Sequence, residues 1–171
     1  MKSKRREIYL TALVLMALYL SLAESLIPKP FPWMKLGLAN IATIVAIEKF
    51  DAKMGLEVFF LRVLIQGIML GTLFTPSFII SLTSGGISTL LIILIYKFRK
   101  QLSLLAISAM GAFFHNSMQL IVVYFLLFRN ISINSKSILM FVWGFLLMGC
   151  ISGIVTGFIA ERLNLRRGCL E

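Results

Sequence analysis

The chain consists of long apolar runs broken only by short polar or basic segments, and this alternation limits its fold more than any other feature. Runs at 8–27, 54–74, 77–96, 103–128 and 137–160 each hold about twenty residues or more, enough to cross a hydrocarbon core of ~30 Å at ~1.5 Å per residue. In lipid every backbone N–H and C=O has to bond internally, so such runs read as transmembrane helices. A further segment, 36–50, is apolar for only about a dozen residues before Glu48-Lys49-Phe50-Asp51-Ala52-Lys53 closes it. It is too short to cross alone. The expected fold is an all-α integral membrane protein, a single domain over 1–171 with six transmembrane helices, the second one short.

Composition agrees. Hydrophobic residues make up 59% and charged residues 14%, against about 45–50% and about 25% in soluble domains, and mean hydropathy is +0.95. The net charge of +10 does not call for nucleic acid, because the basic residues lie between apolar runs, where they set topology. With the N-terminus inside, segments 1–7, 48–53, 97–100 and 162–167 hold 12 Lys/Arg, the opposite loops hold four (Lys29, Lys35, Arg129 and Lys136), and Arg62 lies within a run. Both termini are therefore expected on the cytoplasmic side of the inner membrane. Ser21-Leu22-Ala23 resembles a signal-peptide cleavage site, but the preceding apolar run is long for a signal sequence and many more follow. Cys150 and Cys169 imply no disulfide framework.

Three of the four prolines precede the short segment, in Pro28-Lys29-Pro30-Phe31-Pro32-Trp33-Met34-Lys35. Proline fixes φ and removes donors, so this stretch cannot be helix. It reads as an outer loop delivering Lys35 to the start of the second helix, where exposed N–H groups favour an anion. The rival reading has Lys35 snorkelling to headgroups beside Trp33. Small-residue stripes mark packing faces: Gly149-x-x-x-Gly153-x-x-x-Gly157 on the sixth run, Gly67-x-x-x-Gly71 on the third, and a weaker Ala17-x-x-x-Ser21-x-x-x-Ser25 on the first.

Polar groups within apolar runs are costly and usually face a cavity or a partner. Arg62 and Gln66 share a helix face at i, i+4. Ala112, His115, Asn116 and Gln119 follow i, i+3, i+4, i+7 and read as one polar stripe. Asn40 is expected about a turn and a half into the second helix. Structural alternatives are a salt bridge from Arg62 to Glu24 or Glu57 and an interhelical hydrogen bond from His115. A lone histidine rules out bis-His haem in one chain. No Cys/His cluster suggests a metal site, and no Walker-type loop is present. The single aspartate, Asp51, is not the clustered set that a prenyl-transferring enzyme would use to hold magnesium and diphosphate. No enzyme activity and no cofactor are expected.

Pro32-Trp33-x-Lys35-Leu36-Gly37-Leu38-Ala39-Asn40, Arg62 with Gly71-Thr72, and Gly111-Ala112-x-x-His115-Asn116-x-x-Gln119 together resemble the Gx transporter family, also labelled heptaprenyl diphosphate synthase component I. That family is similar to the substrate-binding S components of energy-coupling factor (ECF) importers. The resemblance implies a six-helix bundle that binds a small anionic vitamin-like or isoprenoid/quinone-related molecule near the outer face. Lys35, Asn40, Arg62, Gln66, His115, Asn116 and Gln119 would be its ligand-binding residues, and a transmembrane coupling subunit with two ATPases its partners. One departure stands out: S components commonly dock through Ala-x-x-x-Ala on the first helix, where this chain has Ala17-x-x-x-Ser21. The second label implies the alternative, a non-catalytic membrane accessory of isoprenoid-quinone synthesis or of a flavin- or quinone-linked electron-transfer assembly.

Overall fold

A computed structural model describes residues 2–26, 37–98, 102–127 and 136–165. These form six helices: α1 (Lys2–Ser25), α2 (Asn40–Lys49), α3 (Ala52–Met69), α4 (Pro76–Tyr96), α5 (Leu104–Leu127) and α6 (Lys136–Leu165). Four are long and apolar enough to cross a membrane, over Lys4–Ser25, Pro76–Tyr96, Leu104–Leu126 and Val142–Arg162. The 18-residue α3 reaches ~27 Å but carries Lys53, Glu57 and Arg62, and the 10-residue α2 reaches only ~15 Å. The protein is thus an all-helical membrane protein with four self-sufficient spans and two helices that depend on their neighbours.

Its surface confirms the solvent. Tyr19, Leu90, Phe125, Leu147, Ile151 and Phe158 are exposed, whereas Ser84, Ser88, Ser108, Asn116 and Gln119 are buried. Hydrophobic side chains outside and hydroxyls and amides inside are what lipid selects, since a polar group facing hydrocarbon has no partner.

The helices pack in the order α1, α3, α4, α5, α6, and α2 lies against α1, α3, α4 and α6. Residues Asn40 to Ile47 of α2 are all buried, which is how so short a helix is held at membrane depth. Its apolar side chains join Leu13, Val14, Ala17 and Leu18 of α1, Met54 and Val58 of α3, Ile92 of α4, Leu104 and Ile107 of α5 and Ala160 of α6 in one cluster. Most of that cluster lies toward the face where α1 and α3 begin, called here the N-terminal face.

Glycines set the close approaches. The α6 stripe meets α5 antiparallel: Gly149 lies on Asn116, Gly153 on Ala112 and Ala109, and Gly157 on Leu105 and Ser108. Ser108 and Thr156 share a hydroxyl hydrogen bond of 2.9 Å across the same seam. On α4, Gly85 and Gly86 receive the fully buried Phe59 ring of α3. The expected stripe on α3 is corrected: Gly67 packs on Phe78 and Leu73, but Gly71 lies beyond the helix in a turn at φ +62° with nothing against it. The α-helix ends at Met69 because Gly71 takes positive φ, with Gly71 N and Thr72 N bonding back to Ile68 O and Gly67 O. Thr75 then caps α4 by accepting from Phe78 N, with Pro76 in its first turn. At the N-terminal face, Asp51 Oδ1 accepts from Met54 N at 2.6 Å and begins α3.

Candidate functional site

The proline stretch and Lys35 lie outside the described residues, which resume at Gly37. From there the entry to α2 is clear. Gly37 takes φ +85°, and Asn40 N and Ile41 N bond back to Gly37 O and Leu38 O. Ala39, the N-cap, offers no side-chain acceptor. A buried carboxylate from α1 answers instead: Glu24 Oε2 accepts from Gly37 N at 3.2 Å and from Leu38 N at 3.1 Å. Charge-assisted bonds from two adjacent amides are a strong way to seat a carboxylate. The sequence read these N–H groups as a seat for an external anion; the chain seats its own.

Asn40 is the first residue of α2 rather than a turn and a half inside it, because the 37–39 turn uses the residues expected to start the helix. Arg62 is only 7% exposed. Its guanidinium lies 5.6 Å from the Phe59 ring centroid and within electrostatic range of Glu24. Its Nε has no hydrogen-bond partner among the described residues, and neither has Thr43 Oγ1 of α2. Leaving such a buried donor unmet costs roughly 1–3 kcal/mol. Glu57, the other partner considered for Arg62, pairs instead with Arg6 at 2.8 Å near the N-terminal face.

Helix registers place the remaining polar residues. Ile47 packs on Gly55, so seven residues along each of these antiparallel helices sets Asn40 level with Arg62. Phe59 against Gly85 brings Ser81 close to the same level. Ser88 Oγ donates to Gly111 O at 2.8 Å, and four residues further along each helix sets Ser84 level with His115. Asn40, Arg62, Ser81, Ser84, His115 and Gln119, all buried, therefore occupy one polar layer on the far side of the apolar cluster. Gln66, one turn beyond Arg62, is half-buried at its edge.

The expected stripe on α5 divides. His115 and Gln119, at i and i+4, keep to the layer, but Asn116 turns to α6, lies on Gly149 and directs Nδ2 to Phe145 O at 3.5 Å. Residues 115 and 116 are ~100° apart on a helix, and that angle separates the layer from the α5–α6 seam. Sequence reasoning missed the anchoring role of Glu24 and the part played by Thr43 and Ser84. An acid just before the end of a span was the available signal for Glu24; a hydroxyl that can also bond its own helix gave none for the others. Among the described residues no group of three or more His, Cys, Asp or Glu is placed to hold a metal ion.

No curated protein and no solved structure matches the chain. The family described as heptaprenyl diphosphate synthase component I matches residues 13–163, which include all six helices in whole or in large part. The chain belongs to the heptaprenyl diphosphate synthase component I family.

Proposed function

We propose that this protein is the substrate-binding membrane subunit of an ECF-type importer, holding a small anionic molecule, vitamin-like or isoprenoid- or quinone-related, in the polar layer around Arg62. The observation that carries this reading is a guanidinium more than nine-tenths buried whose Nε has no partner among the described residues. A buried cation without full partners is expensive and marks a ligand site in a membrane bundle. Asn40 lies level with it on α2, and His115 and Gln119 carry further hydrogen-bonding groups at a similar depth on α5. The 12-to-4 bias of basic residues places the N-terminal face in the cytoplasm, so the apolar cluster closes the inner side and the layer is reached from outside.

The α1 stripe bears on docking. Ala17 is fully buried and Ser21 nearly so, so both pack inward and a coupling subunit would have to use another face. The family description favours a second reading, a membrane partner of a soluble heptaprenyl diphosphate synthase that performs no chemistry itself. Purification from native membranes in mild detergent, followed by native mass spectrometry, separates the two. The importer reading expects a retained small anion and a co-purifying ATPase module. A co-purifying soluble prenyl synthase, with no ATPase, would replace it with the second reading.

A further inference from the structure

A hydroxyl inside a membrane bundle has a default partner, the carbonyl one turn back on its own helix. Ser81, Thr83, Ser84 and Thr89 of α4 and Ser117 of α5 all use it. Thr43 of α2 does not: it is 1% exposed, yet its Oγ1 has no partner among the described residues. Because Ile47 meets Gly55, Thr43 is level with Phe59, one turn closer to the N-terminal face than Arg62. Asn40, Thr43 and Ile47 fall within about 60° on α2, and Arg62 within about 20° of Gly55 on α3. Thr43 and Arg62 therefore both face the α2–α3 interface. Side chains lean toward the start of their own helix, and these two helices are antiparallel, so Thr43 and Arg62 lean toward each other. Arg62 shows the lean directly, since its guanidinium lies 5.6 Å from the ring centroid of Phe59. Even so, neither Arg62 Nε nor Thr43 Oγ1 bonds the other. From this we infer that Thr43 is a ligand-contacting residue, and that its hydroxyl and the Nε–H of Arg62 together hold one oxygen of the anionic molecule between α2 and α3. The inference rests on the ligand-site reading above and adds to it the atom that is recognised. Nε–H can only donate and a hydroxyl can also donate, so one acceptor with two lone pairs satisfies both. Beside a guanidinium an anionic oxygen is held most strongly. A carboxylate and a phosphate both offer one.

Benzoate and phenyl phosphate, which share a ring and differ in head group, test this by titration into the full chain in nanodiscs, with benzyl alcohol as the uncharged control. The readout is the Arg62 Nε–H magnetic resonance in protein labelled at its arginine nitrogens, identified by its loss in Arg62→Lys. In the wild type at least one anion is expected to shift this resonance saturably; benzoate alone would identify a carboxylate and phenyl phosphate alone a phosphate. Thr43→Val keeps the shape and loses the hydroxyl, and should weaken that binding by on the order of tenfold or more. Thr43→Ser should retain it. Thr43→Ala carries the same expectation as Thr43→Val and covers the case in which the valine variant fails to fold. If the hydroxyl-free variants bind the anion as well as the wild type does, the role of Thr43 is overturned and the ligand-site reading stands. A change in the Arg62 resonance of Thr43→Val without any change in anion affinity would mean that an enclosed water bridges the pair, and overturns the inference in the same way. If neither anion moves the resonance, or benzyl alcohol moves it equally, the site reading falls and the inference with it.

Discussion

Asn116 of α5 lies so close to Gly149 of α6 that a β-carbon at position 149 would overlap its side-chain amide. An amide that the sequence places in a polar stripe is thereby part of a helix–helix seam, continued by Ala112 on Gly153 and Ser108 on Gly157. Close backbone approach of this kind is how helices associate where lipid gives no hydrophobic drive.

Replacing Gly149 should therefore damage the fold and not merely the site. Gly149→Val forces Asn116 away and is expected to cost about 1–3 kcal/mol by overpacking, read as a lower SDS midpoint or melting temperature of the detergent-solubilised protein. Gly144, with nothing within 4 Å of its virtual β-carbon, is the control. Gly144→Ala should leave stability unchanged or raise it by about 0.5–1 kcal/mol through backbone entropy.

The bond from Glu24 to Gly37 and Leu38 ties the end of α1 to the start of α2. Glu24→Ala leaves two amides unmet and should cost roughly 1–3 kcal/mol, with faster hydrogen exchange concentrated at residues 37–41. Unchanged exchange there would show that the carboxylate is not the anchor.

Arg62 makes a contrasting prediction. A buried charge lacking full partners carries an unrecovered desolvation cost, and Glu24 keeps its bonds from Gly37 N and Leu38 N when Arg62 is lost. Arg62→Met should therefore cost well under the roughly 3–5 kcal/mol of breaking a complete buried pair, read as a small shift in the SDS midpoint. A loss above about 3 kcal/mol, the cost of breaking a complete buried pair, would mean that Arg62 is structural.

Ala17 tests the direction of the α1 stripe. It is fully buried, so Ala17→Leu should destabilise the isolated protein by about 1–3 kcal/mol. An outward docking stripe would instead leave the isolated protein unaffected and weaken only its assembly.

The helices were legible because their runs are long and their breaks sharp, and the glycine stripe on α6 announces its own seam. Local backbone geometry was not. The third apolar run continues to Phe74, yet the helix stops at Met69, because the positive φ of Gly71 is invisible to hydropathy. Asn40 shifted by more than a turn for a similar reason, since the 37–39 turn is held by Glu24 from another helix. Burial of Arg62 and His115 followed from their place inside apolar runs. The separation of Asn116 from His115 required knowing where α6 lies, a tertiary fact with no local signature.

Ligand retention by Arg62→Gln is the most direct measurement of the central claim. The wild type and the variant are purified identically from native membranes, checked for equal unfolding midpoints, and examined by native mass spectrometry. A retained small anion in the wild type and its absence from an equally stable variant is the predicted result. Equal retention by both proteins would contradict the assignment of Arg62 as the cation that holds the ligand.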